Sequence, residues 1–185
     1  LQKLRALYLP RQPRKARNTE QNTRSNISRH YDLSNELFAT FLDQTMTYSS
    51  ALFPESGEAL KSVAWDGFAD AQQAKIDRLL DKAGVGQGTR VLEIGTGWGE
   101  LALRAAQRGA TVYSVTLSSE QQELARKRVA DAGYTDAVTI ELKDYRAVEG
   151  EYDAVVSVEM IEAVGFEYWA TYFQTIERVL APGGK

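Results

Sequence analysis

The segment Val91-Leu92-Glu93-Ile94-Gly95-Thr96-Gly97-Trp98-Gly99-Glu100 constrains this chain more than any other. An apolar run holds an acid, and two residues after that acid begins a Gly-x-Gly-x-Gly turn. The residues that follow read as a helix. Strand, glycine turn and helix in that order build a ligand site at the carboxyl end of a parallel sheet. Glycine there lets the backbone approach a ligand without a Cβ clash. An ordinary strand-to-helix turn also uses glycine, but three at alternate places favour a binding turn.

The spacing separates two ligand classes. A dinucleotide site wants its third glycine one place later, to cradle a pyrophosphate at the helix end. That place holds Glu100, an anion that would repel phosphate. S-adenosylmethionine carries a sulfonium and an ammonium and no phosphate, so an acid at the strand end suits it better. The segment resembles the first motif of S-adenosylmethionine-dependent methyltransferases.

Strand and helix alternate beyond this point. Strands are expected at 90–94, 111–116, 138–142 and 152–158, and helices at 98–108, 119–132 and 167–180. Gly109 and Gly133 are the stops of the first two helices, and Ser118 is the N-cap of the second. Alternation of this kind predicts an α/β fold with a doubly wound, mostly parallel sheet. Upstream, 33–42 reads as a short helix and 45–62 as a loop. Residues 65–83 read as a helix with Phe68, Ala71, Ile76, Leu79, Leu80 and Ala83 on its buried stripe. Three regions follow: a basic arm over 1–30, a helical segment over 31–84, and a ligand-binding core over 85–185. The opening at Leu1 and the closing Pro-Gly-Gly turn suggest a longer protein with further strands.

Composition excludes several chemistries. There is no cysteine, which removes disulfides, thiolate metal sites and cysteine nucleophiles. His30 is the single histidine, so a histidine metal centre is excluded and no metal is expected. No apolar run is long enough to span a bilayer. The net charge of −3 divides into +7 over residues 1–30 and −10 over the remainder. A basic arm on an acidic body suggests contact with a polyanion, either nucleic acid or anionic lipid. A solvated arm explains the same charge equally well.

Other strand ends carry candidate ligands. The second ends at Thr116-Leu117-Ser118, where many nucleotide folds place a ribose-binding acid. The third ends at Asp144-Tyr145, an acid that could accept from an adenine amino group beside a ring that could cover it. The fourth ends near Glu159 and Glu162, two acids that are costly at an apolar strand end unless paired, hydrated or used. Glu162 is the favoured functional residue, and Glu159 is left open.

These pieces together resemble the cyclopropane-fatty-acid synthase family. The resemblance rests on His30-Tyr31-Asp32-Leu33-Ser34-Asn35, Thr47-Tyr48-Ser49-Ser50-Ala51, the glycine turn, Thr116-Leu117-Ser118 with Gln121, Asp144-Tyr145-Arg146, and Glu162-x-Val164-Gly165. It covers nearly everything after residue 22. It implies a Rossmann-like class I methyltransferase fold with S-adenosylmethionine as cofactor. Tyr48 and Ser49 would touch the cofactor, with residues 91–99 around its amino-acid end: Glu93, Gly95, Thr96, Gly97, Trp98 and Gly99. Thr116, Leu117 and Gln121 would hold the ribose, and Asp144 and Tyr145 the adenine. Bicarbonate would serve as the base, held by Glu162 with Ser50. His30, Tyr31 and Phe166 are candidates at the substrate.

Two positions depart from the family pattern. Ser50 stands where cysteine is common, and Ala163 where histidine is common. Both look more like the branch that makes 10-methylene or 10-methyl fatty acids. The implied reaction is one-carbon transfer to the cis double bond of an unsaturated phospholipid acyl chain through a carbocation, giving a methylene or cyclopropane product. Tyr31, Tyr48 and Phe166 are candidates to stabilise the cation through their ring faces. The expected partners are acyl chains and an anionic membrane surface met by the basic arm, with no nucleic acid. A homo-oligomer and a downstream reductase are compatible with this reading. The expected location is cytoplasmic, peripheral at the inner face of the membrane. The rival readings are a methyltransferase for another small molecule or nucleic acid, a non-catalytic protein of the same fold, and, more weakly, an NAD-dependent oxidoreductase.

Overall fold

The computed structural model describes residues 34–53 and 67–185. The basic arm, His30 and Tyr31 lie outside these residues. Four parallel strands form the sheet: β1 (Arg90–Ile94), β2 (Thr111–Thr116), β3 (Val138–Leu142) and β4 (Ala154–Val156), in the order β3-β2-β1-β4. The chain moves outward from β1 to β3, then crosses back to lay β4 on the other side of β1. Strand order therefore reverses at β1, where an open α/β sheet leaves a crevice at its carboxyl end. The glycine turn occupies that place.

The helices are α1 (Asn35–Ala39), α2 (Gly67–Ala83), α3 (Glu100–Gln107), α4 (Ser119–Asp131), α5 (Met160–Val164) and α6 (Trp169–Val179). Alternation along the strands divides the core into two layers. Val91, Val112 and Ile140 pack with Ile76, Leu80, Ala102 and Ala125 on the side of α2, α3 and α4. Leu92, Ile94 and Val115 pack with Val164, Tyr172 and Val179 on the side of α5 and α6. Helices cover both faces, so the sheet is doubly wound. On α2, Ala71, Ile76 and Leu80 are buried as expected, and Ala69 and the polar Gln72 are buried beside them.

Strands β1 to β3 have the expected bounds. Strand β4 is shorter, because the Tyr152 amide donates to the Val179 carbonyl and Tyr152 accepts from Ala181, in the chain after α6. At its other end Glu159 takes a left-handed conformation and α5 begins, where the sequence reads only as a strand end. Helix α3 starts at Glu100 rather than 98, because Gly97 (φ +52) and Gly99 (φ +88) hold the turn out of the helix. A single 3-10 turn, Phe166–Tyr168, precedes α6, which starts at Trp169 rather than 167. Ser118 caps α4 by accepting from the Gln121 amide. Helix α1 is held to the core by Trp98, whose Nε1 donates to Asn35 Oδ1 at 2.8 Å and whose ring lies 4.8 Å from that of Phe38.

Candidate cofactor-binding site

The glycine turn, the ends of β1 and β2, the loop before residue 50 and the turns after β3 and β4 enclose a cavity of about 250 Å³. Sheet register builds its floor. Glu93 on β1 faces Ser114 on β2, so both side chains leave the sheet on one face. Ser114 Oγ donates to Glu93 Oε2 at 2.5 Å, and Thr96 Oγ1 lies 2.7 Å from Ser114 Oγ. Glu93 is buried, and burial pushes its carboxyl up to about 8 against the opposing pull of Ser114. Unliganded, it is mostly neutral at pH 7.

The glycines have different reasons. A Cβ at Gly97 would meet nothing within 4 Å, so this peptide is open to a ligand. Gly95 lines the cavity with φ +97, and a Cβ there would strike Met160 Sδ of α5 at 2.7 Å. Gly99 caps α3 close against Ala125 of α4 and is not part of the cavity wall.

The ribose candidates stand together at the wall. Thr116 Oγ1 donates to Gln121 Oε1 at 3.0 Å and accepts from the Ser118 amide at 3.2 Å, with Leu117 beside them. Of the adenine candidates, Tyr145 lines the cavity and Asp144 does not. Asp144 accepts from the backbone and side chain of Arg146, at 2.9 Å from N, 2.8 Å from Nε and 2.5 Å from Nη2. The structure thus brings Tyr145 and Arg146 to the wall, with Asp144 behind them.

Tyr48 and Ser49 also line the cavity, on a loop that two helices fasten. Gln72 of α2 donates to the Thr47 and Ser49 carbonyls at 3.2 and 2.7 Å. Lys75, one turn on, donates to Ser49 Oγ at 2.5 Å and Gln72 Oε1 at 2.6 Å. Burial pulls the Lys75 ammonium down to about 8, although the Glu159 and Asp43 carboxylates favour its charge. Arg128 of α4 donates to the Thr45 and Trp98 carbonyls and pairs with Glu100 at 2.7 Å. Glu100 is therefore a paired anion, not the free charge that the sequence spacing suggests. Burial still raises its carboxyl, with Arg128 pulling the other way.

Sequence reasoning missed Gln72, Lys75, Ser114 and Arg128. Gln72 and Lys75 left a signal, since both are polar on a helix face that otherwise holds Ala69 and Ile76.

The anion site expected at Ser50 and Glu162 is arranged differently. The Ser50 amide and Oγ both donate to Glu159 Oε1, at 3.0 and 3.2 Å. Glu162 is exposed on α5 and Phe166 is 79% exposed, both away from the cavity wall. A carboxylate of the chain already occupies the Ser50 donors and would repel a second anion. The described residues therefore do not fit a bound bicarbonate there. They do fit S-adenosylmethionine: the acid Glu93 suits its cations, the peptide at Gly97 is open, and Tyr145 offers a ring.

Comparison with known proteins identifies the family and the fold. The model of the family described as mycolic acid cyclopropane synthetase matches residues 18–185. The chain is 63% identical over 161 residues to tuberculostearic acid methyltransferase UfaA1 of Mycobacterium tuberculosis, covering 87% of this chain and 38% of that protein. It is 40% identical to the cyclopropane-fatty-acyl-phospholipid synthase of Escherichia coli K12, over 84% of this chain and 37% of that one. The chain thus spans less than two fifths of the length of these relatives. Among solved structures, the cyclopropane synthase MmaA2 from Mycobacterium tuberculosis superposes with a TM-score of 0.78 at 33% identity, over 87% of this chain and 54% of that chain. Mycolic acid cyclopropane synthase CmaA1, complexed with SAH and CTAB, gives 0.76 at 31%, over 85% and 53%. The fold is the Rossmann-like one of S-adenosylmethionine-dependent methyltransferases.

Proposed function

Since the chain belongs to the mycolic acid cyclopropane synthetase family, we propose that it transfers one carbon from S-adenosylmethionine to the cis double bond of an unsaturated phospholipid acyl chain. The observation that carries this reading is the convergence of its motifs on one cavity. Residues 45–49, the glycine turn, Thr116 with Gln121, and Tyr145 come from distant parts of the chain and share one wall.

S-adenosylmethionine supplies a methyl made electrophilic by its sulfonium. Glu93 and the Gly97 peptide would hold its amino-acid end, Thr116 and Gln121 its ribose, and Tyr145 its adenine. An isolated alkene is a poor nucleophile, so positioning supplies much of the rate. The alkene π pair forms the new C–C bond, and the pair of the broken S–C bond stays on sulfur. The acyl chain is left as a cation, which the ring of Tyr48 at the cavity wall would stabilise. The rim around Tyr48 is apolar: Tyr48, Phe41 and Leu37 are 51%, 43% and 43% exposed, and the Phe41 and Tyr48 rings lie 6.1 Å apart. An exposed apolar rim on the cavity suits a lipid chain meeting the cofactor.

The product decides the branch. The complete reading frame is incubated with S-adenosylmethionine and oleoyl phospholipid vesicles, and the fatty acids are read by proton NMR. Exo-methylene protons are expected, in keeping with Ser50 and Ala163; upfield ring protons would place the protein with the cyclopropane makers. Cofactor turnover stimulated by RNA and not by lipid would overturn the proposal. The basic arm fits an anionic surface, each cation near it contributing about 1 kcal/mol. Neutralising Arg11, Arg14, Lys15 and Arg17 is expected to weaken binding to anionic vesicles at low salt. Unchanged sedimentation with those vesicles would remove the arm from membrane docking.

A further inference from the structure

Glu159 follows β4 with φ +52 and ψ +27, a left-handed conformation that a side chain other than glycine rarely adopts. Among the described residues Met46 alone shares this feature, and both residues line the cavity. Backbone strain of this kind persists where the surroundings hold it, and it concentrates at functional sites. What holds Glu159 is Ser50, 109 residues away, whose amide and hydroxyl both donate to Oε1. No described residue donates to Oε2. The Lys75 ammonium on α2 attracts the carboxylate without bonding to it. Among the described residues, one oxygen is thus anchored at the cavity wall and the other is open to a ligand.

We propose that Glu159 is the proton acceptor of the reaction, a carboxylate built into the chain at the place where a bound bicarbonate would otherwise act. This rests on the fatty-acyl reading above. After methyl transfer the acyl cation loses one proton to Glu159 Oε2. The proton comes from the new methyl: its C–H pair closes the ring directly, or forms the exo-methylene double bond once a hydride shift has moved the cation to the methyl-bearing carbon. Glu159 is exposed and returns the proton to water. Ser50 then has a defined part: its two donors orient the carboxylate, which a serine hydroxyl and an amide do as well as they would for a free anion.

Three variants of the complete protein test this. E159Q keeps an acceptor for Ser50 but removes the base. It is expected to bind S-adenosylhomocysteine as wild type does in calorimetry, and to form methylated fatty acid about a hundredfold more slowly. E159G is expected to lose the same activity and to recover part of it with added formate or bicarbonate, neither of which stimulates wild type. Without lipid or methyl donor, formate is expected to raise the melting temperature of E159G and leave that of wild type unchanged. E159Q turning over at the wild-type rate would overturn the proposal. So would E162Q losing activity while E159Q keeps it, or a wild type that depends on added bicarbonate. If wild type binds S-adenosylhomocysteine but methylates no lipid, the functional reading fails. The formate shift then still decides whether the Ser50 site takes a carboxylate.

Discussion

Glu93 is the residue whose state changes most with conditions. Its carboxyl is raised to about 8 in the fold against an ordinary value of 4.5, so between those pH values the folded protein holds a proton that the unfolded chain gives up. The stability this group contributes is present in full below about pH 4.5 and is lost as pH rises towards 8, by up to about 1.4 kcal/mol per pH unit. E93Q cannot titrate at this position, so its urea midpoint is expected to decline less from pH 5 to 8 than that of wild type. Parallel curves from pH 5 to 8 would show that Glu93 ionises normally. A cationic ligand favours the ionised acid, so binding of S-adenosylmethionine near pH 7 is expected to release a proton, visible as a dependence of the calorimetric heat on the buffer's ionisation enthalpy. Gly97 is the second residue with a local prediction. Alanine at φ +52 costs about 1–2 kcal/mol of stability, and its Cβ enters open space that a ligand would use. G97A is expected to lose more affinity for S-adenosylhomocysteine than this stability loss accounts for.

At the scale of elements, the cofactor loop is held from outside itself. Residues 45–49 form no helix or strand, and α2 and α4 reach it through Gln72, Lys75 and Arg128. Arg128 also neutralises Glu100 at the start of α3, where side-chain exposure is 21% for the arginine and 12% for the acid. Breaking such a pair strands the partner charge. R128M is therefore expected to destabilise by about 2–4 kcal/mol in urea titration and to weaken S-adenosylhomocysteine binding through the loop. Adding E100Q is expected to restore much of the stability but not the affinity, because the bonds to the Thr45 and Trp98 carbonyls stay lost. If the double variant is no more stable than R128M, the ion pair is not what Arg128 contributes.

Over the whole molecule, two apolar layers make a rigid sheet whose carboxyl edge carries the chemistry. Leu80 of α2 has no exposed surface and belongs to the layer beneath α3. L80A is expected to lower stability by about 3 kcal/mol, while the protein that remains folded binds S-adenosylhomocysteine as wild type does. A parallel loss of affinity would mean that the core and the cavity are not independent. The layers also explain the reach of the site: crossovers on both faces return every strand to the same edge, so loops far apart in the chain meet there.

The chain's own pattern determined the alternation of strands and helices, the bounds of β1 to β3, the stops at Gly109 and Gly133, and the glycine turn as a ligand site. Those features are local: apolar periodicity, a cap and a left-handed glycine act within a few residues. Tertiary structure alone decided the Ser114 bond to Glu93, the anchoring of the loop by Gln72, Lys75 and Arg128, and the union of Ser50 with Glu159. Each of these depends on the register between strands or on which crossover lies above which loop. Two side chains 109 residues apart meet only when the sheet sets their separation in space, and no period in the sequence records that distance.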